Sequence, residues 1–427
     1  PVATAPAADP ARWCAQLGDA QLDRLITRAL AANRDLEATR ARLRESRARG
    51  TRAEAGHSPT LAAATGAQHG QRGDAAAQTA YNAGFDASWE ADVFGGIRRD
   101  VEAARADVAV AEATLADAQV SLVAEVALNV VSLRNTQARL ELARANLASQ
   151  RETLQLVTWR EQAGLASAVE REQARANAAQ TEAQLPALET ALAQTQYRLE
   201  VLLGEAPGAL AIELAAPRAL PTLPARIALA IPADTLRNRP DLRAAERQLA
   251  AETARVGSAQ ADRYPSLRLT GSLGAEALAF SALGASSTLV RSLAANLAVT
   301  IFDGGRLRAQ VAIQEAVRDR ALATYQASVL AALADVENAL VDYVNSDTRR
   351  AALATAVDAA RTAAGLARQR YTSGLIDFQT VLETGRSQRS AEDNLATAEA
   401  ERVSAFIRLY KALGGGWQAN IQERPVP

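Results

Sequence analysis

The stretch YNAGFDASWEAD, residues 81–92, alternates between apolar and polar side chains along its whole length. The apolar positions are Tyr81, Ala83, Phe85, Ala87, Trp89 and Ala91. The positions between them are polar or glycine: Asn82, Gly84, Asp86, Ser88, Glu90 and Asp92. This alternation predicts a β-strand with two unlike faces. An apolar outer face and a wholly polar inner face are typical of a membrane barrel with a wet lumen.

Three further stretches extend this strand into a sheet. Residues 292–301 alternate in the same way, and residues 60–72 and 266–275 are weaker partner strands. Residues 73–79 and 276–290 are rich in Gly, Ala and Ser, which predicts the connecting loops. Strands of about ten residues can cross a bilayer. Because open sheet edges are not viable in lipid, we expect oligomerisation, and three copies would give a twelve-stranded barrel.

The chain also contains an internal tandem repeat. AGLASAVEREQAR (163–175) returns as SGLIDFQTVLETGR (373–386), and NRDL (33–36) returns as NRPDL (238–242). The matched segments keep their order along the chain. We therefore expect each half to be one structural unit.

Long helices are predicted on both sides of the repeated turns. No glycine or proline lies between Gly96 and Gly164, and apolar residues there recur every seven positions. The second half behaves alike between Gly305 and Gly365. This spacing predicts a coiled-coil seam, and residues 97–163 would span about 100 Å as a helix.

The shorter helices are expected to complete a tubular wall. Return arms are predicted at 165–203 and 375–413, and Pro186 should bend the first of them. Short helices at 240–261 and at roughly 20–55 would lengthen each return arm to match a long helix. The predicted tunnel is thus an α-helical barrel of paired helices about 100 Å long.

We divide the chain into eight segments along the sequence. The first half comprises an N-terminal segment with the equatorial and first short helix (1–56), barrel strands one and two (57–93) and a long helical hairpin (94–204). The second comprises a proline-rich equatorial linker (205–238), a short tunnel helix (239–263), strands three and four (264–302), the second hairpin (303–413) and an equatorial tail (414–427).

Composition limits the possible functions. The net charge is −1, and no basic patch is interleaved with aromatic residues, which argues against a nucleic-acid partner. The single cysteine, Cys14, permits no internal disulfide and follows no acylation box. We expect no apolar run to approach the ~18–20 residues of a spanning helix. Without a signal peptide, the protein is either cytosolic or a processed protein whose membrane span is a β-barrel.

The ordered set of motifs resembles a known family. SWEADVFGGIRR (88–99), LRNRPDLRAAERQL (236–249), VTIFDGGRLRA (299–309) and RQRYTSGLIDFQTVL (368–382) are similar to those of TolC-like outer-membrane efflux channels. The likeness is greatest to the OprM/NodT type of lipoprotein and covers nearly the whole chain. It implies a mixed α/β membrane protein, a homotrimer whose twelve-stranded antiparallel barrel continues into a periplasmic coiled-coil tunnel.

The resemblance also implies a function and partners. It implies the exit duct of a tripartite RND-type efflux pump, docked to a periplasmic membrane-fusion adaptor and an inner-membrane RND transporter. The expected location is the outer membrane of a Gram-negative bacterium, in contact with its lipid. Relatives of this type carry an acylated N-terminal cysteine, which we expect upstream of Pro1, leaving Cys14 unrelated to it.

No catalytic constellation, cofactor motif or metal-ligand spacing is apparent. His57 and His69 flank a predicted strand without a cysteine or carboxylate at ligand spacing, so we expect solvated side chains. The functional residues are instead expected at the hairpin turns. Adaptor docking is assigned to the tip residues Gly164, Leu165, Gly374 and Leu375.

The resemblance places an acidic constriction just after the second turn, where Glu383 stands. The sequence there reads Leu-Glu-Thr-Gly (382–385), whereas relatives usually have Leu-Asp-Ala. Asp377 in the same turn and Glu170 at the equivalent place in the first turn are further candidates, with Arg386 and Arg171 as the nearest counter-charges. For these two carboxylates and two arginines, a solvated position on a helix face explains the charge as well as a functional role does. For Glu383, a functional role is favoured. Asp86, Glu90 and Asp92 would add negative potential in the barrel lumen.

Two other functions remain open. A conduit of a type I protein-secretion system would share the same architecture. A soluble coiled-coil scaffold would explain the heptads, and a soluble sheet packed on helices would explain the strands. The charge on the polar strand faces favours the membrane barrel over a soluble sheet.

Overall fold

The computed structural model describes residues 17–71, 73–74, 76–224 and 238–415. Cys14 lies outside the described residues, as do positions 225–237 of the predicted linker and 416–427 of the predicted tail. The chain forms two compact units. One comprises Pro1–Ala38, Leu115–Pro240 and Leu330–Pro427, and the other comprises Thr39–Thr114 and Asp241–Val329. Each unit therefore draws on both halves of the sequence repeat.

Nine α-helices account for most of the described residues. They are α1 (Ala20–Ala32), α2 (Arg34–Glu54), α3 (Gly96–Gln162), α4 (Ala168–Glu182), α5 (Leu185–Leu202), α6 (Ala211–Ala215), α7 (Pro240–Ala261), α8 (Arg306–Thr372) and α9 (Phe378–Ala412). The long helices α3 and α8 each contain 67 residues, within a residue of the predicted bounds. Heptads thus specify both helices, and the glycine that follows each one marks its end, although α8 also continues through Gly365.

Two of the shorter helical segments differ from their predictions. The predicted helix at 20–55 is two helices, because Asn33 has an extended backbone and its side-chain oxygen accepts the Leu36 N–H at 2.9 Å. Asparagine is a strong N-cap, so it starts a new helix there. The predicted bend near Pro186 is a break, with α4 ending at Glu182 and α5 carrying the proline in its first turn.

The prediction that no run is apolar enough to span a membrane was wrong for α3. One window of this helix reaches a mean hydropathy of 1.3, and 44% of that window is buried within the chain. Leu122, Val126, Val130 and Leu133 of α3 belong to the main core of the first unit. The apolar character of α3 is therefore explained by packing inside the protein.

The main core of the first unit brings α1, α3, α5 and α9 together. Leu25, Val126, Leu199 and Phe406 are fully buried members of this cluster. Gly204, which follows α5, has a φ of +74°, and a Cβ there would lie 2.2 Å from the carbonyl oxygen of Ala32. Only glycine fits this contact, which holds the end of α5 against the end of α1.

The second unit contains a four-stranded antiparallel sheet in the order β1-β2-β3-β4. The strands are β1 (Thr60–Gly70), β2 (Gln78–Ala91), β3 (Ser266–Ala277) and β4 (Leu289–Ala298). The fourth strand begins and ends three residues before its predicted bounds. Within the described residues, β1 and β4 each pair on one side only, so both are edges of an open sheet.

The register gives this sheet the two unlike faces expected from the sequence. Phe85 is opposite Ala63 and Leu273, whereas Asp86 is opposite Ala62 and Ser272. The apolar face stays exposed, with Leu61, Leu293 and Leu297 at 72%, 87% and 71% exposure. Several exposed leucines on one face do not fit a soluble sheet covered by helices.

Candidate functional site

The two long helices end in turns of the same geometry. Gly164 follows α3 with a φ of +72°, and Gly374 follows α8 with a φ of +73°. In each turn the glycine N–H donates to the carbonyl three residues earlier, and the next leucine N–H donates to the carbonyl five residues before it, at 2.7–2.9 Å. This is a Schellman motif, which requires a left-handed residue and so favours glycine.

The leucine after each glycine points away from the protein. Leu165 is 69% exposed and Leu375 is 73% exposed. Val169, in the first turn of α4, is exposed as well. The predicted docking residues therefore lie in matching conformations and offer apolar side chains at both turns.

The helix after each turn begins with a side-chain cap. Ser167 caps α4 in a capping box with Glu170, and Asp377 caps α9 by accepting the Thr380 N–H at 2.9 Å. The sequence analysis equated Glu170 with Asp377, which is wrong, because Asp377 corresponds to Ser167. The Thr380 hydroxyl and N–H both donate to Asp377, which lowers the pKa of its carboxyl.

The two turns contact each other through Arg160 and Tyr371. The Arg160 guanidinium carbon lies 4.7 Å from the centroid of the Tyr371 ring. Its Nη1 donates to the carbonyl oxygens of Tyr371 at 3.2 Å and of Thr372 at 3.3 Å. Arg160 thus binds two carbonyls of the last turn of α8, one of which also accepts the Gly374 N–H, and a cation is favoured there by the helix dipole.

Tyr371 also faces the start of α4. Its hydroxyl lies 3.5 Å from Oε2 of Glu170, the outer limit of a hydrogen bond. Burial, and then the negative charge of Glu170, raise the pKa of Tyr371, so the hydroxyl remains a neutral donor at neutral pH. Glu170 therefore has two roles, closing the capping box of its own helix and facing the other hairpin.

A small apolar cluster lies behind this polar contact. Val157, Ala174, Tyr371, Phe378 and Leu382 are its buried members, and they come from α3, α4, α8 and α9. The rings of Tyr371 and Phe378 lie 5.4 Å apart. The four helix ends are consequently held together within one chain by packing as well as by polar contacts.

The predicted counter-charges do not pair with the predicted carboxylates. Arg171 binds Glu161 and Glu172, each at 2.9 Å, rather than Glu170. Glu383 is exposed, and its Oε1 accepts the side-chain N–H of Gln379 at 2.9 Å. Among the described residues, neither Glu383 nor Arg386 has an ion-pair partner. The charge of Glu383 is therefore uncompensated within the described chain.

The three predicted lumen carboxylates fall into two environments. Asp86 and Glu90 lie on the polar face of β2, and Glu90 pairs with Arg268 on β3 at 3.3 Å. Asp92 lies beyond the end of β2, and its carboxylate accepts the Ile97 and Arg98 N–H groups. Asp92 was predicted to lie in the strand but instead caps the first turn of α3.

Two residues of the turn contact escaped the sequence analysis. Arg160 and Tyr371 lie 211 residues apart, and the sequence around neither residue predicts that they are in contact. A weak signal was available, because both stand in the last turn of a long helix and the arginine suits a helix C-terminus.

Comparison with known proteins identifies the family. The profile of the family described as outer membrane efflux protein matches residues 25–205 and 231–415. The chain therefore belongs to the outer membrane efflux protein family.

Individual relatives agree with this assignment over almost the whole chain. The pyoverdine export outer membrane protein OpmQ of Pseudomonas putida is 34% identical over 97% of this chain and 90% of its own length. The outer membrane protein OprJ of Pseudomonas aeruginosa is 33% identical over 96% of this chain and 87% of its own length. The solved structure of the outer-membrane channel OprN is 37% identical and superposes with a TM-score of 0.92, covering 96% and 95% of the two chains.

Proposed function

We propose that this protein is the outer-membrane exit duct of a tripartite RND-type efflux pump and exports drugs or other small toxic compounds. One observation carries the proposal. The chain has an open sheet of four strands with an exposed apolar face, and it belongs to a family of outer membrane efflux proteins. A sheet with free edges is viable in lipid only when other strands close it.

The proposed assembly is a homotrimer with one barrel of twelve strands. Each chain contributes four strands, and β4 of one copy would pair with β1 of the next. The polar face, with Asp86 and Glu90, would line the lumen, while Leu293 and Leu297 would face lipid. An acylated cysteine upstream of Pro1 would add a lipid anchor.

The two helix turns are the proposed docking surface for a periplasmic membrane-fusion adaptor. Leu165 and Leu375 offer exposed apolar contacts at two similar sites per chain, or six per trimer. A pump transporter in the inner membrane would complete the assembly. Relatives are named as the outer membrane proteins of solvent and toluene efflux pumps, which supports such partners.

We propose that the same turns form the gate at the periplasmic tip. Arg160, Tyr371 and Glu170 would hold the two hairpins of each chain together in the closed state. Glu383, with Asp377 nearby, would form rings of three carboxylates that favour cations. Adaptor binding at the leucines would separate the hairpins and open the tip.

Two experiments test this function. Purified protein in a planar bilayer should conduct ions, and a cysteine at Leu165 or Leu375 should cross-link to the adaptor in cells. A protein that is extracted without detergent and gives no conductance would instead support the soluble scaffold. Co-purification with a protein-secretion transporter in place of an RND transporter would support the type I conduit.

A further inference from the structure

The first unit contains two adjoining cavities between its helices, and the smaller one reaches the apolar cluster behind the turn contact. The larger, of about 560 Å³, is lined by residues of α3, α4, α5 and α9. The smaller, of about 410 Å³, is lined by residues of α3, α4, α8 and α9. Leu142, Asn146, Asn177 and Arg389 line both, so Arg389 lies where the two cavities meet.

The charges lining these cavities are unbalanced. The arginines are Arg139, Arg361, Arg368, Arg386 and Arg389, and the carboxylates are Glu392 and Asp393. Five cations against two anions leave a net charge of +3 on the combined lining.

Both carboxylates are already engaged by an arginine. Asp393 accepts from Nε of Arg139 at 2.6 Å and from its Nη2 at 3.1 Å. Glu392 accepts from Nε of Arg361 at 2.6 Å. Among the described residues, the other three arginines of the lining have no carboxylate within ion-pair distance.

Arg389 is held in place by neutral groups. Its Nη2 donates to Oδ1 of Asn177 at 3.0 Å, and its Nη1 donates at 3.1 Å to the Gln150 amide oxygen in the orientation that satisfies both amide atoms. Burial and the like charge of Arg386 lower the pKa of Arg389. These amide contacts orient the guanidinium but leave its charge uncompensated.

We propose that the larger cavity binds a small oxyanion, with a phosphate or carboxylate group placed between Arg386 and Arg389. Guanidinium groups bind such oxygens through charge-assisted and often bidentate hydrogen bonds. The amides of Asn146 and Gln180 also line this cavity and supply further donors. Because Arg389 lies on α9 and Asn177 on α4, the bound anion would connect the two helical hairpins of one chain.

This site is distinct from the acidic tip. Glu383 and Asp377 would attract cations, whereas the cavity offers excess positive charge to anions. A binding measurement needs no transport activity, so its failure would leave the channel function proposed above untouched.

Titration calorimetry on the full-length protein in detergent tests the proposal. Inorganic phosphate or succinate should bind at one site per chain. A chloride salt keeps the ionic strength the same in every titration. Arg389→Gln and Arg386→Gln should each weaken binding by about tenfold or more, the effect of losing one charge-assisted contact. Arg408→Gln is the matched control, since Arg408 is an exposed arginine of α9 outside both cavities.

The Arg386 variant separates a loss of binding from a loss of folding. Arg386 is exposed and forms no ion pair among the described residues, so its replacement should leave folding intact even if Arg389→Gln does not. Binding that is lost in Arg386→Gln and kept in Arg408→Gln supports the site. Equal heats for phosphate, succinate and chloride, or equal losses in Arg386→Gln and Arg408→Gln, would overturn it.

Discussion

Arg160 places its guanidinium carbon 4.7 Å from the centre of the Tyr371 ring and donates to the carbonyl oxygen of the same residue at 3.2 Å. The two residues end α3 and α8, so one contact joins the last turns of both long helices. Its geometry combines a cation–π interaction with hydrogen bonds to carbonyls of the last turn of α8. Any separation of the two hairpins must break it.

Arg160→Ala should therefore favour the open tip. Partly buried cation–π contacts contribute roughly 0.5–2 kcal/mol, so loss of this one should raise the open probability by about 2- to 30-fold. Single-channel recording in planar bilayers measures this directly. Arg175→Ala is the control, since Arg175 is exposed and, within the described part of the chain, its ion pair is with Glu172 of its own helix. Equal gating in wild type and Arg160→Ala would remove the contact from the gate.

Glu383→Gln should reduce the preference for cations. The charge of Glu383 is uncompensated within the described chain, and a ring of three such carboxylates would attract cations at the constriction. Reversal potentials under a salt gradient give the selectivity. Glu399→Gln makes the same charge change at an exposed position of α9 and should leave selectivity unaltered. Unchanged selectivity in Glu383→Gln would rule out its role as a filter.

The start of α9 should weaken in acid through Asp377. Its pKa is lowered in the folded state, so its capping contribution is present above the unfolded pKa of about 3.9 and is lost as pH falls through the folded pKa. Hydrogen exchange of the first turn of α9 across this range measures the loss. Asp377→Asn should keep the cap and abolish its pH dependence, and Asp377→Ala should lose protection at every pH. If neither variant changed the hydrogen-exchange protection of the first turn of α9, Asp377 would not have this capping role.

The helices were predictable because their signals are local. Glycine-free heptads bounded by Gly96 and Gly164 determine the bounds of α3 within a residue, and α8 lies between Gly305 and the turn glycine Gly374 despite Gly365 in its interior. The break at Asn33 was missed because the surrounding sequence is uniformly helix-forming, and the cap depends on one side chain turning back to Leu36. The fourth strand lies three residues before its predicted bounds because its alternation continues past the last paired residue.

The site was less predictable because its contacts are tertiary. The turn glycines and exposed leucines follow from the repeat itself. By contrast, Arg160 and Tyr371 meet only because two hairpins pack together. The pairing of Arg171 also depends on this packing, since Glu161 on α3 approaches it across the turn while Glu170 is engaged in a cap. The spacing of residues along the sequence does not show which of these two carboxylates will pair with Arg171.

The turn geometry predicts opposite effects for two glycines of the same hairpin. Gly374 has a φ of +73°, so Gly374→Ala should destabilise the turn by about 1–2 kcal/mol. Gly365 lies inside α8 with open space around its Cα, so Gly365→Ala should stabilise the helix by roughly 0.5–1 kcal/mol. Thermal or denaturant unfolding in detergent would show both shifts. If both substitutions stabilised the protein, or both destabilised it, the described turn geometry would be contradicted.

The proposed lipid face can be tested with two neighbouring residues of β4. Leu293 lies on the apolar face, and Ala294 lies on the polar face opposite Thr270. Leu293→Lys should hinder membrane insertion, since a lysine facing the bilayer midplane costs about 2–4 kcal/mol, whereas Ala294→Lys should insert normally. The yield of assembled protein in the outer membrane is the measurement. Equal yields for the two variants would argue against a membrane barrel.

The mass of the detergent-solubilised protein tests the central claim most directly, because an open four-stranded sheet requires partner chains to close. Native mass spectrometry or light scattering corrected for bound detergent should give a trimer of about 135 kDa, three times the chain mass of 45.0 kDa. That trimer should be extracted only with detergent. A monodisperse 45.0 kDa monomer that stays in solution without detergent would contradict the account.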